Sequence, residues 1–211
     1  MKRFDLSLYP VLDPDLCVGI GMVKTALAAA SGGATIIQLR DKQAGTAGRV
    51  KTGRALKAAF AETGALLIVN DDAEAAIAIE ADGLHVRQND MAARDARKQI
   101  ASSMILGLSV ATEELAAAVD PAIVDYAGIG PVFATSTKPD HKPPIGIDGV
   151  ARRVRACRVP GVAIGGPKAT HAEYVLAPGA KGLAVVSSIC GTPDPRQAAA
   201  SITDAIRKAR A

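Results

Sequence analysis

Short apolar runs alternate with alanine-rich amphipathic stretches from one end of the chain to the other. The apolar runs are rich in Val, Ile and Leu, which predicts strands that are buried on both faces of a parallel sheet. The predicted strands cover residues 6–13, 34–41, 66–71, 83–88, 104–110, 126–133, 161–166 and 182–189. The predicted helices cover residues 22–31, 48–62, 73–79, 92–100, 112–119, 149–157, 170–176 and 195–210.

Eight strand–helix units indicate an α/β fold, and two architectures can hold them. A doubly wound sheet would typically have a glycine-rich turn after its first strand, but Val11-Leu12-Asp13-Pro14 stands there. The count of eight favours the other architecture, a (β/α)8 TIM barrel. No linker or change of composition divides the chain, so we expect residues 1–211 to form a single domain.

Composition narrows the possible partners. The chain of 211 residues has a formal net charge of only +4 and 3% aromatic residues. Its basic residues are spread over predicted helix faces with few rings for base stacking, so no nucleic-acid partner is expected. Asp5 and Pro10 interrupt the first apolar stretch and no run is long enough for a membrane span, which predicts a cytoplasmic protein without a membrane partner. Three cysteines without CxxC spacing predict reduced thiols.

In such a barrel the chemistry belongs at the carboxyl ends of the strands. The second predicted strand ends in Gln38-Leu39-Arg40-Asp41-Lys42. Alternation puts Gln38, Arg40 and Lys42 on one side. An amide, a guanidinium and an ammonium group together suit a heteroaromatic ring that carries a phosphate or diphosphate. The alternative is a strand end that runs into solvent.

Carboxylates follow the next two strands. Asn70 and Asp71 end the third predicted strand, and Asp90 follows the fourth. Asp71 and Asp90 could converge on one Mg²⁺ ion, which prefers carboxylate, phosphate and water oxygens. The alternative is that Asp71 or Asp72, and likewise Asp90, caps the helix that follows.

Small polar groups end the remaining strands. Ser109 has no base near it in the sequence, which favours a hydrogen bond to a ligand over a role as nucleophile. Hydroxyls, backbone N–H groups and one ammonium group suited to anions occur at Thr135, Ser136, Thr137, Lys138, Gly166 and Ser187. His85 is interpreted as a packed core residue, and His141 and His171 as solvated.

Five ordered segments resemble the thiamine phosphate synthase family over nearly the whole chain. They are Gln-Leu-Arg-Asp-Lys at 38–42, Val-Asn-Asp at 69–71, Ala-Asp-Gly-Leu-His-Val at 81–86 with Gln88 and Asp90, Gly-Pro-Val-Phe-Ala-Thr-Ser-Thr-Lys at 130–138, and Ala-Ile-Gly-Gly at 163–166 followed by Val-Val-Ser at 185–187. Enzymes of this family join an aminopyrimidine methyl diphosphate to a thiazole phosphate and release diphosphate. The resemblance therefore implies a transferase with two small-molecule substrates, and it leaves self-association into a homo-oligomer open.

The resemblance also implies a role for each matching position. Asp71 and Asp90 would bind Mg²⁺, and Ser109 would contact the pyrimidine. The groups that hold the pyrimidine diphosphate would be Gln38, Arg40, Lys42, Asn70 and Lys138, with Arg40, Lys42 and Lys138 as the catalytic cations. Leu39 and Asp41, in the same segment, are also expected to bind substrate. The groups around the thiazole phosphate would be Thr135, Ser136, Thr137, Gly166, Val186 and Ser187.

The chain departs from the family pattern at several positions. Arg87 stands where the family usually has glycine, and we expect its side chain to point away from the barrel mouth. The other departures are Asn89, Ala111, Pro167 and Lys181. Two alternatives to the synthase remain at this stage: a thiazole tautomerase-like enzyme, which needs neither diphosphate nor metal, and a non-catalytic barrel that binds a thiazole or pyrimidine phosphate.

Overall fold

The computed structural model describes residues 4–87, 92–135 and 143–211. Its strands are β1 (Leu8–Leu12), β2 (Ile36–Leu39), β3 (Leu66–Asn70), β4 (Gly83–Arg87), β5 (Ile105–Val110), β6 (Tyr126–Ile129), β7 (Gly161–Ile164) and β8 (Leu183–Val185). Its helices are α1 (Met22–Ser31), α2 (Thr46–Ala59), α3 (Ala73–Ile79), α4 (Ala93–Gln99), α5 (Glu113–Ala117), α6 (Gly146–Ala156), α7 (Ala172–Leu176) and α8 (Pro195–Arg210). Short 3-10 turns cover Ala61–Thr63 and Ala169–His171.

The eight strands form a closed parallel barrel in chain order. The first strand pairs with the second through Leu12 and Leu39, and it closes the barrel by pairing with β8 through Leu8 and Leu183. The predicted (β/α)8 barrel is therefore confirmed. Among the described residues, no helix is both long and apolar enough to cross a membrane.

Alternation along the strands builds two cores. Leu8 and Leu12 belong to the larger cluster, which packs between the barrel and its helices, whereas Tyr9 and Val11 belong to a smaller one. Successive side chains of a strand point to opposite faces, so the smaller cluster fills the barrel interior. Most strands extend less far than their apolar runs predicted.

The N-cap of α3 settles whether Asp71 or Asp72 caps that helix. Asp72 is the N-cap of α3, and its side chain accepts a hydrogen bond from the Ala75 N–H at 2.9 Å. Burial works against the charged form of Asp72, but this hydrogen bond and those from Arg49 and Thr46 outweigh it and lower its pKa. Since Asp72 supplies the cap, Asp71 does not.

The cysteines take no part in a cross-link. Cys17, Cys157 and Cys190 are free thiols; Cys17 and Cys190 are buried and Cys157 is half-buried. Their redox state stays a prediction.

Candidate active site at the carboxyl end of the barrel

The end of β2 delivers polar groups to the barrel interior and mouth. Gln38 is only 4% exposed, and its Nε2 donates to the Tyr9 hydroxyl at 2.7 Å. Arg40 follows on the same face, and its Nη1 lies 3.6 Å from Asp13 Oδ2 at the end of β1. Lys42 is exposed further along the same loop. The side shared by these three residues is thus the inward one at Gln38.

Leu39 and Asp41, which alternate with the residues above, have other contacts. Leu39 is fully buried in the layer between barrel and helices, so its side chain packs in the core, and a substrate contact at Leu39 stays a prediction. Asp41 Oδ1 accepts the N–H groups of Gln43 and Ala44, which gives the Asp41 side chain a role in shaping the turn. A substrate contact at Asp41 stays a prediction.

Asp71 lies directly after β3 in a left-handed conformation, with φ of 60°. That region is uncommon for a residue other than glycine and costs on the order of 1–3 kcal/mol. The Asp71 N–H donates to the His85 carbonyl at 2.9 Å, which ties it to β4. The turn therefore places the Asp71 carboxylate at the mouth.

The two oxygens of Asp71 differ. Its Oδ2 accepts from Asn70 Nδ2 at 2.7 Å and from Arg87 Nη2 at 2.9 Å. Its Oδ1 is buried and has no hydrogen-bond partner in the described part of the chain. A buried carboxylate oxygen without a donor costs roughly 1–3 kcal/mol, so this oxygen is suited to a cation.

Arg87 points into the mouth, and the prediction that it points away is wrong. The fourth strand continues through Arg87, which pairs with Ser109 of β5. Alternation therefore places Arg87 on the same inward face as His85. Its guanidinium reaches Asp71 through both Nη2 and Nε, the latter at 3.2 Å.

The second predicted metal ligand, Asp90, lies outside the described residues, so of the two predicted ligands only Asp71 can be placed at the mouth. In residues 4–87, 92–135 and 143–211, no three His, Cys, Asp or Glu side chains form a metal-binding cluster. Protein-bound Mg²⁺ usually takes only one or two carboxylates and completes its shell with substrate phosphates and water. Asp71 fits such a site, and Mg²⁺ stays a prediction.

A chain of neutral hydrogen bonds crosses the barrel interior. The Tyr9 and Tyr126 hydroxyls are 2.7 Å apart, and Tyr126 lies 2.9 Å from His85 Nδ1. His85 Nε2 lies 2.9 Å from Ser109 Oγ. With the Gln38 amide at its other end, the chain joins β2, β1, β6, β4 and β5.

Burial keeps this chain uncharged. It lowers the pKa of His85 to about 4, with a smaller contribution from the Arg87 charge, so the ring is neutral near pH 7. Burial also raises the pKa of Tyr9 and Tyr126, which keeps both hydroxyls protonated. No basic side chain is near Ser109 in the sequence, but the fold brings the His85 imidazole next to its hydroxyl.

The direction of the chain follows from counting donors. The Gln38 amide donates to Tyr9, and the order that gives every donor of the chain an acceptor passes the Tyr9 proton to Tyr126 and the Tyr126 proton to His85 Nδ1. The remaining imidazole proton then sits on Nε2 and is donated to Ser109. This order leaves the Ser109 hydroxyl proton available to a ligand at the mouth.

Two glycines make room for the imidazole. A Cβ at Gly107 would collide with the Tyr126 ring and lie 2.5 Å from His85 Nδ1. A Cβ at Gly128 would lie 3.2 Å from His85 Cε1. Sequence reasoning missed Tyr9 and Tyr126 as members of the site. The signal lay in these inward glycines on the two strands that follow the histidine.

The loops after β6, β7 and β8 are in contact on the other side of the mouth. Gly165 and Gly166 have φ of 88° and 76°. A Cβ on Gly166 would lie 2.8 Å from the Ala134 carbonyl oxygen, so only glycine allows this approach beside Thr135. The Ser188 hydroxyl donates to the Pro167 carbonyl at 3.3 Å and joins the last two loops.

Some of the positions predicted to surround the thiazole phosphate lie in these loops, and others lie outside the described residues. Thr135 and Gly166 lie in the adjoining loops, Val186 packs against the interior cluster and Ser187 is exposed at the end of β8. Ser136, Thr137 and Lys138 lie outside the described residues, as does His141. The prediction for His171 is wrong, because its ring is half-buried and stacks on Phe133 with centroids 4.1 Å apart.

Known proteins resemble this chain along its length. The family model for thiamine monophosphate synthase matches residues 8–189. A thiamine-phosphate synthase from Xanthobacter autotrophicus is 47% identical over 209 residues, 99% of each chain, and one from a Psychrobacter species is 42% identical over 197 residues, 92% of each. A thiamine phosphate pyrophosphorylase structure from Pyrococcus furiosus superposes with a TM-score of 0.88 at 33% identity, covering 98% of both chains. A 3-hexulose-6-phosphate synthase structure, with a TM-score of 0.69 at 19% identity, shares the fold alone.

Proposed function

The chain belongs to the thiamine monophosphate synthase family, and on that premise we propose how its barrel mouth carries out the reaction. It is a transferase with thiamine-phosphate synthase activity. We infer that its substrates are an aminopyrimidine methyl diphosphate and a thiazole phosphate. The products are then thiamine phosphate and diphosphate.

One observation carries this assignment of roles: the mouth has a charged side and a neutral side. Arg40, Asp71 and Arg87 gather charge at the ends of β2, β3 and β4. Ser109 ends the neutral hydrogen-bond chain from the interior. A substrate with a polyanionic group on an uncharged heteroaromatic ring matches both sides at once.

The reaction needs little acid–base chemistry. The bond between the pyrimidine methylene carbon and the diphosphate oxygen breaks, and its electron pair leaves with the diphosphate. The methylene cation is stabilised by the amino group of the ring. The lone pair of the thiazole nitrogen then forms the new carbon–nitrogen bond, and no proton has to be removed. The protein contributes by holding the two rings in line and by stabilising the separating charges.

The charged side would stabilise the departing diphosphate. Arg40 and Lys42 follow the same strand, and Lys138 is the third predicted cation. The 3.6 Å contact between Arg40 and Asp13 is loose enough for the guanidinium to turn to a phosphate oxygen. A Mg²⁺ ion bound at Asp71 and Asp90 would supply further positive charge to the leaving oxygen.

The neutral side would hold the pyrimidine. Ser109 has a proton to donate to a ring nitrogen, because His85 Nε2 already donates to it. A protonated imidazole beside the forming methylene cation would raise its energy, so burial of neutral His85 favours ionisation. The thiazole phosphate would lie opposite, against the loops that carry Thr135, Gly166 and Ser187.

A coupled turnover assay tests the proposal. Thiamine phosphate should form only when both substrates and Mg²⁺ are present, and Lys138→Ala should lower turnover much more than it lowers the melting temperature. Conversion of a thiazole phosphate without the pyrimidine diphosphate would favour the tautomerase-like alternative. Binding of either substrate without turnover would favour the non-catalytic barrel.

A further inference from the structure

A cation of the protein itself occupies the carboxylate that the proposed metal needs. Arg87 Nη2 and Nε both donate to Asp71 Oδ2, at 2.9 and 3.2 Å. Resting on the proposed function, we propose that Arg87 competes with the metal for Asp71 in the free enzyme and moves to the diphosphate when the substrate binds. Metal and diphosphate would then bind cooperatively.

The geometry sets up the competition. Asp71 Oδ2 already accepts from Asn70 and Arg87, and Oδ1 is buried. A divalent ion on either oxygen would lie close to the guanidinium, and two cations at that separation repel each other. The metal therefore binds the free enzyme only at the cost of moving Arg87 or tolerating its charge.

Arg87 also lies at the edge of the mouth that faces solvent. Its side chain is 35% exposed, compared with 20% for Asp71, so it borders solvent at the mouth. A planar fork of N–H donors matches phosphate oxygens, which offer more negative charge than one carboxylate. The arriving diphosphate thus draws Arg87 away from Asp71 as it brings oxygens of its own to the metal.

The coupling between metal binding and diphosphate binding is reciprocal. If diphosphate raises the affinity for metal by some factor, metal raises the affinity for diphosphate by the same factor. An enzyme with the glycine usual at this position lacks the competing cation. It would bind metal alone more tightly and would show weaker coupling through this contact.

The neighbouring ion pair provides a matched control. Arg49 Nη1 donates to Asp72 Oδ2 at 2.8 Å, one residue along from Asp71. Asp72 is also held by Thr46 and by its cap on α3, so both of its oxygens accept hydrogen bonds from the protein. Removing the Arg49 charge therefore measures the general electrostatic effect of losing one nearby cation.

Binding of Mn²⁺ to the substrate-free enzyme, followed by the electron paramagnetic resonance signal of the free ion, tests the proposal. Arg87→Gln should bind Mn²⁺ on the order of fivefold more tightly than the unmodified chain, as expected for loss of one exposed ion pair. Arg49→Gln should leave the Mn²⁺ affinity nearly unchanged. If Arg87→Gln is poorly folded by circular dichroism, Arg87→Lys should still give an intermediate affinity.

Inorganic diphosphate then measures the coupling. Its presence should increase Mn²⁺ affinity in the unmodified chain by a larger factor than in Arg87→Gln, after correction for the metal–diphosphate complex in solution. An unchanged or weaker Mn²⁺ affinity in Arg87→Gln, or an equal gain in Arg49→Gln, would overturn the proposal. The turnover assay above is independent: product formation without these shifts leaves the synthase function standing, and the shifts without product formation leave the competition standing.

Discussion

Asp71 at the carboxyl end of the barrel is held differently from two aspartates at the amino end. At the amino end, Asp82 Oδ2 accepts the Leu67 N–H at 2.8 Å. Asp125 Oδ2 accepts both the Leu106 N–H at 2.8 Å and Arg97 Nη2 at 2.7 Å. At the carboxyl end, Asp71 keeps a buried oxygen without a partner among the described residues and sits in a left-handed conformation.

The difference separates stability from chemistry. The amino-end carboxylates satisfy strand N–H groups just where each strand begins, so their negative charge is already compensated by the fold. Asp71 is strained and, within the described part of the chain, incompletely paired, and that cost persists because the surrounding turn and β4 hold it there. One residue type thus closes the barrel at one end and offers a ligand at the other.

The largest expected effect is on activity at the carboxyl end. Asp71→Asn removes a charge from the metal and diphosphate side, so kcat/KM should fall by about 100-fold or more, as for loss of one preorganised electrostatic contact. Asparagine tolerates the left-handed conformation, so the melting temperature should stay the same or rise. Steady-state kinetics and thermal unfolding of the same preparation check both parts. A matching loss of stability would make Asp71 resemble the amino-end carboxylates.

Because His85 is neutral in the folded protein, the free energy of unfolding should decrease in acid. The folded-state pKa of His85 is about 4, below its ordinary value of about 6.5, so the unfolded chain binds an extra proton between these pH values. Stability should therefore be complete above pH 6.5 and should fall by on the order of 3 kcal/mol as pH decreases toward 4.

Urea unfolding across this pH range measures the loss. His85→Gln, which has no titrating ring, is the control and should lack this part of the slope, while the carboxylates titrate equally in both proteins. Equal slopes in the two proteins would show that His85 is not held neutral.

A third prediction addresses the amino end. Asp125→Ala leaves the Leu106 N–H and the Arg97 guanidinium without this acceptor, so the free energy of unfolding should fall by about 2 kcal/mol. The activity of the folded fraction should not change, because Asp125 is far from the mouth along β6. Chemical unfolding measures the free energy of unfolding, and an assay corrected for the active fraction measures kcat. A loss of kcat without a loss of stability would contradict the separation of roles between the two ends.

The smallest effect is expected inside the barrel. Tyr126→Phe removes the link between Tyr9 and His85 and should cost about 1 kcal/mol of stability. Because the imidazole tautomer is then no longer fixed, KM for the pyrimidine diphosphate should rise while KM for the thiazole phosphate stays constant. A parallel rise in both constants would indicate a general loosening of the barrel.

The sequence predicted the fold better than it predicted the contacts. Buried parallel strands are continuous apolar runs, so all eight were found, although the predicted β6 and β8 extend about four residues beyond the observed strands. The direction of Arg87 was predicted wrongly because alternation was not expected to hold at the end of the strand, whereas Arg87 is the last residue of β4 and still points inward like His85. The neutral chain was missed because it joins residues 41 and 24 positions apart, His85 to Tyr126 and His85 to Ser109, which only the strand register brings together.

The most direct test of the contrast between the two ends is a crystal of the enzyme soaked with Mn²⁺ and the pyrimidine diphosphate. We expect an anomalous peak about 2.1 Å from an Asp71 carboxylate oxygen, bridged to the diphosphate, with Arg87 turned toward the phosphate oxygens. A peak at Asp82 or Asp125, or a bound diphosphate with Asp71 still paired to Arg87 and no metal beside it, would contradict the account.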